Sequence, residues 1–176
     1  MTRIALLFLL LSAGAALAQA DCPVCEQAGK LRDTLRKVEI NNAAQKPQGN
    51  ALSNESLALV TAFRDRPPPY RQGRKAFEAL VALGLYAAPF GSGDYETALA
   101  AVAAKDPDYR KRYQAIVRKG VRGRDRGASC RMRYLQTNVS VAECKLQEAA
   151  KGASAETAGR LCDTSYDLGA CLAKKR

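Results

Sequence analysis

Six cysteines frame this chain. Cys22 and Cys25 lie toward one end, Cys130, Cys144, Cys162 and Cys171 toward the other, and about a hundred residues between them carry none. An even count of this kind in an oxidising compartment reads as three disulfides. There is no histidine and no tryptophan, which excludes His-dependent triads, His-metal centres and His-ligated haem.

The start of the sequence points to that compartment. A short cationic segment, Met1 to Arg3, precedes an apolar run from Ile4 that small residues extend to Leu17. Ala18-Gln19-Ala20 then gives the small-x-small pattern that signal peptidases cleave. The run falls short of the roughly 20 apolar residues that a spanning helix needs. Residues 1–20 are therefore expected to be a cleaved secretory signal of bacterial type. Residues 21–176 would form one mature domain, periplasmic or secreted, with no transmembrane segment after cleavage.

Helical periodicity dominates that domain. Val24, Ala28, Leu31, Leu35 and Val38 share one face, and Pro23 fits a first turn. This helix should fade near Asn41-Asn42, before a polar loop at Lys46-Pro47-Gln48-Gly49-Asn50. A second helix is expected from Ser53 or Asn54 to Arg66, where Pro67-Pro68-Pro69 stops it. Ala76 to Phe90 has Glu78 as its one charge, and reads as a central helix surrounded by others. After Gly91-Ser92-Gly93, Asp94 should cap an Ala-rich helix reaching about Lys105. Asp106, Pro107 and Gly120 mark the cap, first position and far end of the next, with Tyr109, Tyr113 and Ile116 facing inward. Two or three short helices should follow: a capping box at Ser140 and Glu143, a cap at Ser154, and a last turn or two after Thr164. No period-2 run suggests a strand. The expected fold is all-α, a single-domain irregular bundle of about six to eight helices cross-linked by disulfides.

Cys22-Pro23-Val24-Cys25 resembles the redox pair of thioredoxin-type oxidoreductases, in which a helix N-terminus lowers the first thiol's pKa. Such sites follow a buried strand in a βαβ unit, and here the pair opens the mature chain. A thiolate metal site usually offers a second close pair, which spacings of 13, 17 and 8 intervening residues do not supply. Structural bridges are favoured, in a nested scheme of Cys22–Cys171, Cys25–Cys162 and Cys130–Cys144. In that scheme two bonds close very long loops. A local Cys22–Cys25 bond is the alternative that constrains least. No metal and no cofactor are expected.

Charge is concentrated. Arg110, Lys111, Arg112, Arg118, Lys119, Arg122, Arg124, Arg126, Arg131 and Arg133 face one acid, Asp125, over 24 residues, a net of +9 in a chain of formal charge +11. A field this local gathers anions, and Arg binds carboxylate or phosphate through two parallel hydrogen bonds. Nucleic acid is disfavoured by export and by the lack of aromatics interleaved with the run. The partner would be an acidic protein, or an anionic envelope polymer or lipid headgroup. No catalytic residues are assigned: Ser and Thr have no His to activate them, and Glu78 reads as a core-edge acid paired to an Arg. The expectation is a non-enzymatic binding protein of inhibitor or immunity type. The alternative is a thiol-disulfide oxidoreductase or metal carrier using Cys22 and Cys25.

Overall fold

The computed structural model describes residues 22–91, 93–119 and 127–174, with side chains on α5 described only as far as 116. The expected signal segment, and Arg122, Arg124 and Arg126, lie outside the described residues. Among these the fold is all-α, with no strand. The helices are α1 (Pro23–Leu35), α2 (Lys46–Asp65), α3 (Tyr70–Ala87), α4 (Asp94–Lys105), α5 (Pro107–Lys119), α6 (Ala128–Ala150), α7 (Ala155–Cys162) and α8 (Leu168–Ala173), with a 3₁₀ turn at Ala88–Phe90.

The centre is α3, as its sequence implies. Phe77, Leu80, Val81 and Leu83 are fully buried, and the helix packs against α1, α2, α4, α5 and α6. On α1, Ala28, Leu31 and Leu35 turn onto α3, and Val38 is buried just beyond the helix end. Tyr109 of α5 meets Phe63, Tyr70 and Phe77 edge-on, with centroids 5.8, 5.2 and 5.0 Å away. Its hydroxyl donates to the Pro68 carbonyl at 2.7 Å, so the triple-proline corner is clamped as well as broken. Burial, with Asp106 and Tyr70 adding to it, pushes this phenol up to about 12.

The sequence expectations fail where a breaker residue belongs to a helix. The segment read as a loop at Lys46–Asn50 is the first turn of α2, because Pro47 lies where no N–H is needed. Gly49 is buried there under Phe90, whose ring a Cβ would meet at 2.5 Å. Residues 128–150 form one helix of 23 residues rather than two. Ser140 and Glu143 therefore lie mid-helix and cap nothing. The cap of α4 is Gly93, with Asp94 the first helical residue, and the cap of α8 is Asp167, which accepts from the Ala170 N–H at 2.8 Å; Thr164 lies outside that helix. Asp106 and Ser154 do cap as expected, accepting from the Asp108 and Thr157 N–H groups.

Cysteine pairing differs throughout from the nested scheme. The bonds are Cys22–Cys25, Cys130–Cys171 and Cys144–Cys162. The Cys130–Cys144 pairing fails on geometry: 14 residues along one continuous helix span about 21 Å, far beyond disulfide reach. Each of these cysteines instead fastens a short C-terminal helix to α6, Cys144 holding α7 and Cys130 holding α8. Cys22 and Cys25 hold each other, so Cys22–Cys171 and Cys25–Cys162 do not form. Helix α1 is kept in place by packing on α3. All six sulfurs are bonded, which fits an oxidising, extracellular environment.

Candidate functional site

The basic run is split by the fold into structural and surface members. Arg112 of α5 donates from Nε to Glu78 Oε1 on α3 at 2.8 Å, and Arg74 lies 3.5 Å from the same oxygen. Glu78 is thus the Arg-paired core-edge acid that the sequence implied. Arg110 lies 3.7 Å from Glu143 of α6, a contact across helices that is too long for a hydrogen bond. Arg131 is buried, its guanidinium 4.9 Å from the centre of the Tyr86 ring and donating at 3.5 Å to the Leu85 carbonyl. Arg36 approaches the same ring at 5.9 Å.

Lys111 and Arg133 are exposed. Arg118 and Lys119 belong to the last turn of α5. The ten residues therefore do not form one surface, since Arg131 serves the core and Arg112 the α3–α5 seam. The same seam supplies what the sequence left apart. Arg66, Arg71, Arg74 and Lys75 have no acid among or between them, and Arg71, Arg74 and Lys75 are exposed at the start of α3. Because Glu78 binds both Arg74 and Arg112, this second basic run adjoins the first. The signal was a net +4 over ten residues, hidden beside a larger one.

At the other chemical candidate, Cys22 is the N-cap of α1, and its Sγ accepts the Cys25 N–H at 3.2 Å. Both cysteines are half-buried against the core. Every cysteine sulfur is engaged in a disulfide, so none is free as a thiolate. No group of metal-ligating side chains occurs among the described residues.

A cleft of ≈ 530 Å³ opens between the start of α4, the middle of α6 and the chain after α7. Its lining includes Glu96, Asn138, Tyr134, Thr97, Lys145 and Asp163. Glu96 is only 1% exposed. Its Oε1 accepts from Asn138 Nδ2 at 3.2 Å, and its Oε2 has no hydrogen-bond partner. Burial, opposed by hydrogen bonds and reinforced by the charge of Asp94, raises this carboxyl above its ordinary value. Tyr113, whose hydroxyl is also buried without a partner, is raised by burial and then by Glu143 and Glu96. At the rim, Lys145 pairs with Asp163 at 2.6 Å. These two directly follow Cys144 and Cys162, so the third disulfide staples the pair in place. Nothing in the sequence marked Glu96 except its position beside Tyr95 in the first turn of an alanine-rich helix.

No described helix is long and apolar enough to cross a membrane. No protein-family model, no curated protein and no solved structure matches this chain.

Proposed function

We propose that this chain is an exported, non-enzymatic binding protein, periplasmic or secreted, whose basic surface engages an acidic protein as an inhibitor or immunity factor would. An anionic envelope component is the other source of the same charge. The observation that carries the reading is the double engagement of Glu78. By holding Arg74 and Arg112 together, it sets the exposed cations of α3 beside α5, which carries the exposed Lys111. A patch of this kind steers acidic partners and contributes association rate and specificity more than area-driven affinity. Disulfides that fasten α7 and α8 to α6 suit a small domain exposed to an unbuffered medium.

The test replaces Arg122, Arg124 and Arg126 with Ser and compares captured envelope proteins at low and moderate salt. The reading requires an acidic partner that is lost on substitution and weakened by salt. An unchanged profile rejects it.

A second reading rests on Cys22. A disulfide at a helix start, with the first sulfur as N-cap, has the local form of a redox pair, since the helix dipole stabilises a thiolate there. Reduction of insulin by dithiothreitol, catalysed by wild type and not by Cys22→Ser, would favour this reading over binding alone.

A further inference from the structure

Two guanidinium groups share one carboxylate at the α3–α5 seam, and they share it unequally. Arg112 donates from Nε to Glu78 Oε1 at 2.8 Å, whereas Arg74 stands 3.5 Å from the same oxygen without a hydrogen bond. Arg74 is also the more exposed, at 56% of its side chain against 32% for Arg112. One negative charge thus faces two positive ones, and the looser partner is the one that solvent reaches. An exposed pair of this length is weak and exchanges readily for another oxyanion.

Arg74 belongs to a stripe. Arg71, Arg74, Lys75 and Glu78 occupy positions i, i+3, i+4 and i+7 of α3 and so share one face, while Gly73, Ala76, Phe77 and Leu80 are buried on the other. Arg71, Arg74 and Lys75 are exposed, as is Lys111 beside Arg112 on α5. None of Arg71, Lys75 and Lys111 is ion-paired among the described residues. The acids nearest to them in sequence on these helices are Glu78 and Asp108. The seam's own occupant indicates what it fits, since Glu78 is a carboxylate received by Arg, whose fork matches that group. Resting on the reading of this chain as a binder of acidic protein, we propose that the partner meets this stripe of α3 with side-chain carboxylates, one of which takes Arg74 from Glu78. Glu78 is then an internal competitor. It keeps Arg112 in place and holds down the affinity of the free patch, so that a segment bearing several acids is favoured over a single anion.

Binding of the full chain to fluorescently labelled poly-L-glutamate at about 50 mM salt tests this. Glu78→Gln, which keeps an oxygen for Arg112 Nε, should bind about threefold tighter or more than wild type. Glu156→Gln removes the same charge from an exposed position on α7 and should stay within about 1.5-fold. Arg74→Ser should weaken binding about threefold or more, beyond Arg160→Ser, the charge-matched control on α7. These substitutions leave the buried face of α3 untouched and should fold. The exchange itself is read from the double variant. Without Arg74 the gain from Glu78→Gln should shrink to that of Glu156→Gln, because the two residues are coupled, whereas a plain charge effect would add. The proposal is overturned by a gain from Glu78→Gln no larger than that from Glu156→Gln, by a gain that survives Arg74→Ser, or by Arg74→Ser matching Arg160→Ser. Gains seen on phosphatidylglycerol vesicles and not on poly-L-glutamate reject the carboxylate partner. In each of these cases, wild type that still binds poly-L-glutamate leaves the wider reading standing; wild type that does not bind it rejects both.

Discussion

The Arg131 guanidinium packs against the face of Tyr86, 4.9 Å from the ring centre, on a side chain only 9% exposed. A residue from the densest basic stretch of the chain is thus part of the core. Local charge density in a sequence does not by itself locate a surface.

Arg131→Ala should cost about 1–3 kcal/mol of stability, since it removes a desolvated cation–π contact and its packing. Arg131→Lys should recover only part of it, because a point ammonium does not stack as a planar guanidinium does. Urea unfolding measures both. Partner capture should survive in each variant under conditions where it remains folded.

Gly73→Ala should destabilise by about 1–3 kcal/mol, the usual scale for overpacking. The added Cβ would overlap the Tyr109 hydroxyl and displace it from the Pro68 carbonyl. The same substitution at Gly29, where a Cβ meets nothing within 4 Å, is the control and should be neutral or stabilising. Thermal unfolding distinguishes them.

The three disulfides should differ in importance in the order of the loops they close. Sequence separations of 41, 18 and 3 give roughly 4, 3 and under 2 kcal/mol in the chain-entropy model, with measured values often lower. Paired Cys→Ser substitution at Cys130 and Cys171 should lower the melting temperature most, and at Cys22 and Cys25 least. An equal drop for Cys22 and Cys25 would mean that the short bond supports α1 directly.

The buried Glu96 carboxyl gives stability a particular pH dependence. Its pKa is raised in the folded chain above the reference value of 4.5, so the folded state holds more protons than the unfolded state between those two values. Its contribution is complete below the unfolded pKa and declines as pH rises toward the folded one. The ionisable groups that act on it or respond to it are Asp94 and Tyr95 on its own helix, Tyr113 on α5 and Tyr134 on α6, with Asn138 as its hydrogen-bond partner. Glu96→Gln should remove this decline and leave the variant less sensitive to pH than wild type from pH 4.5 upward. Denaturation midpoints measured across that range check the sign.

Much of the helical layout follows from residues with a single meaning. Asp106-Pro107 can only begin a helix well, Pro67-Pro68-Pro69 must break one, with Pro69 the N-cap of the next, and the apolar run after Ala76 has nowhere to go but the centre. Ambiguity enters where one residue type serves two roles. Pro47 and Gly49 spell a loop as readily as a helix start under an aromatic ring, and what decides is Phe90, forty-one positions later. Ser140 and Glu143 match a capping box but lie on an uninterrupted helix, and the same continuity sets Cys130 and Cys144 too far apart to pair. The cleft was not legible, because Glu96, Asn138 and Asp163 come together only through tertiary packing.

The binding account is tested most directly by separating patch from net charge. One variant carries Arg122→Ser, Arg124→Ser and Arg126→Ser; the other carries Lys151→Ser, Arg160→Ser and Lys174→Ser, exposed positions at the far end of α6, on α7 and after α8. Both lose three charges. Retention on immobilised poly-glutamate at 50 mM and 200 mM salt is the measurement. The account predicts that the first variant elutes at markedly lower salt than wild type and the second close to it. Equal losses would show that only overall charge matters and would contradict a localised binding face.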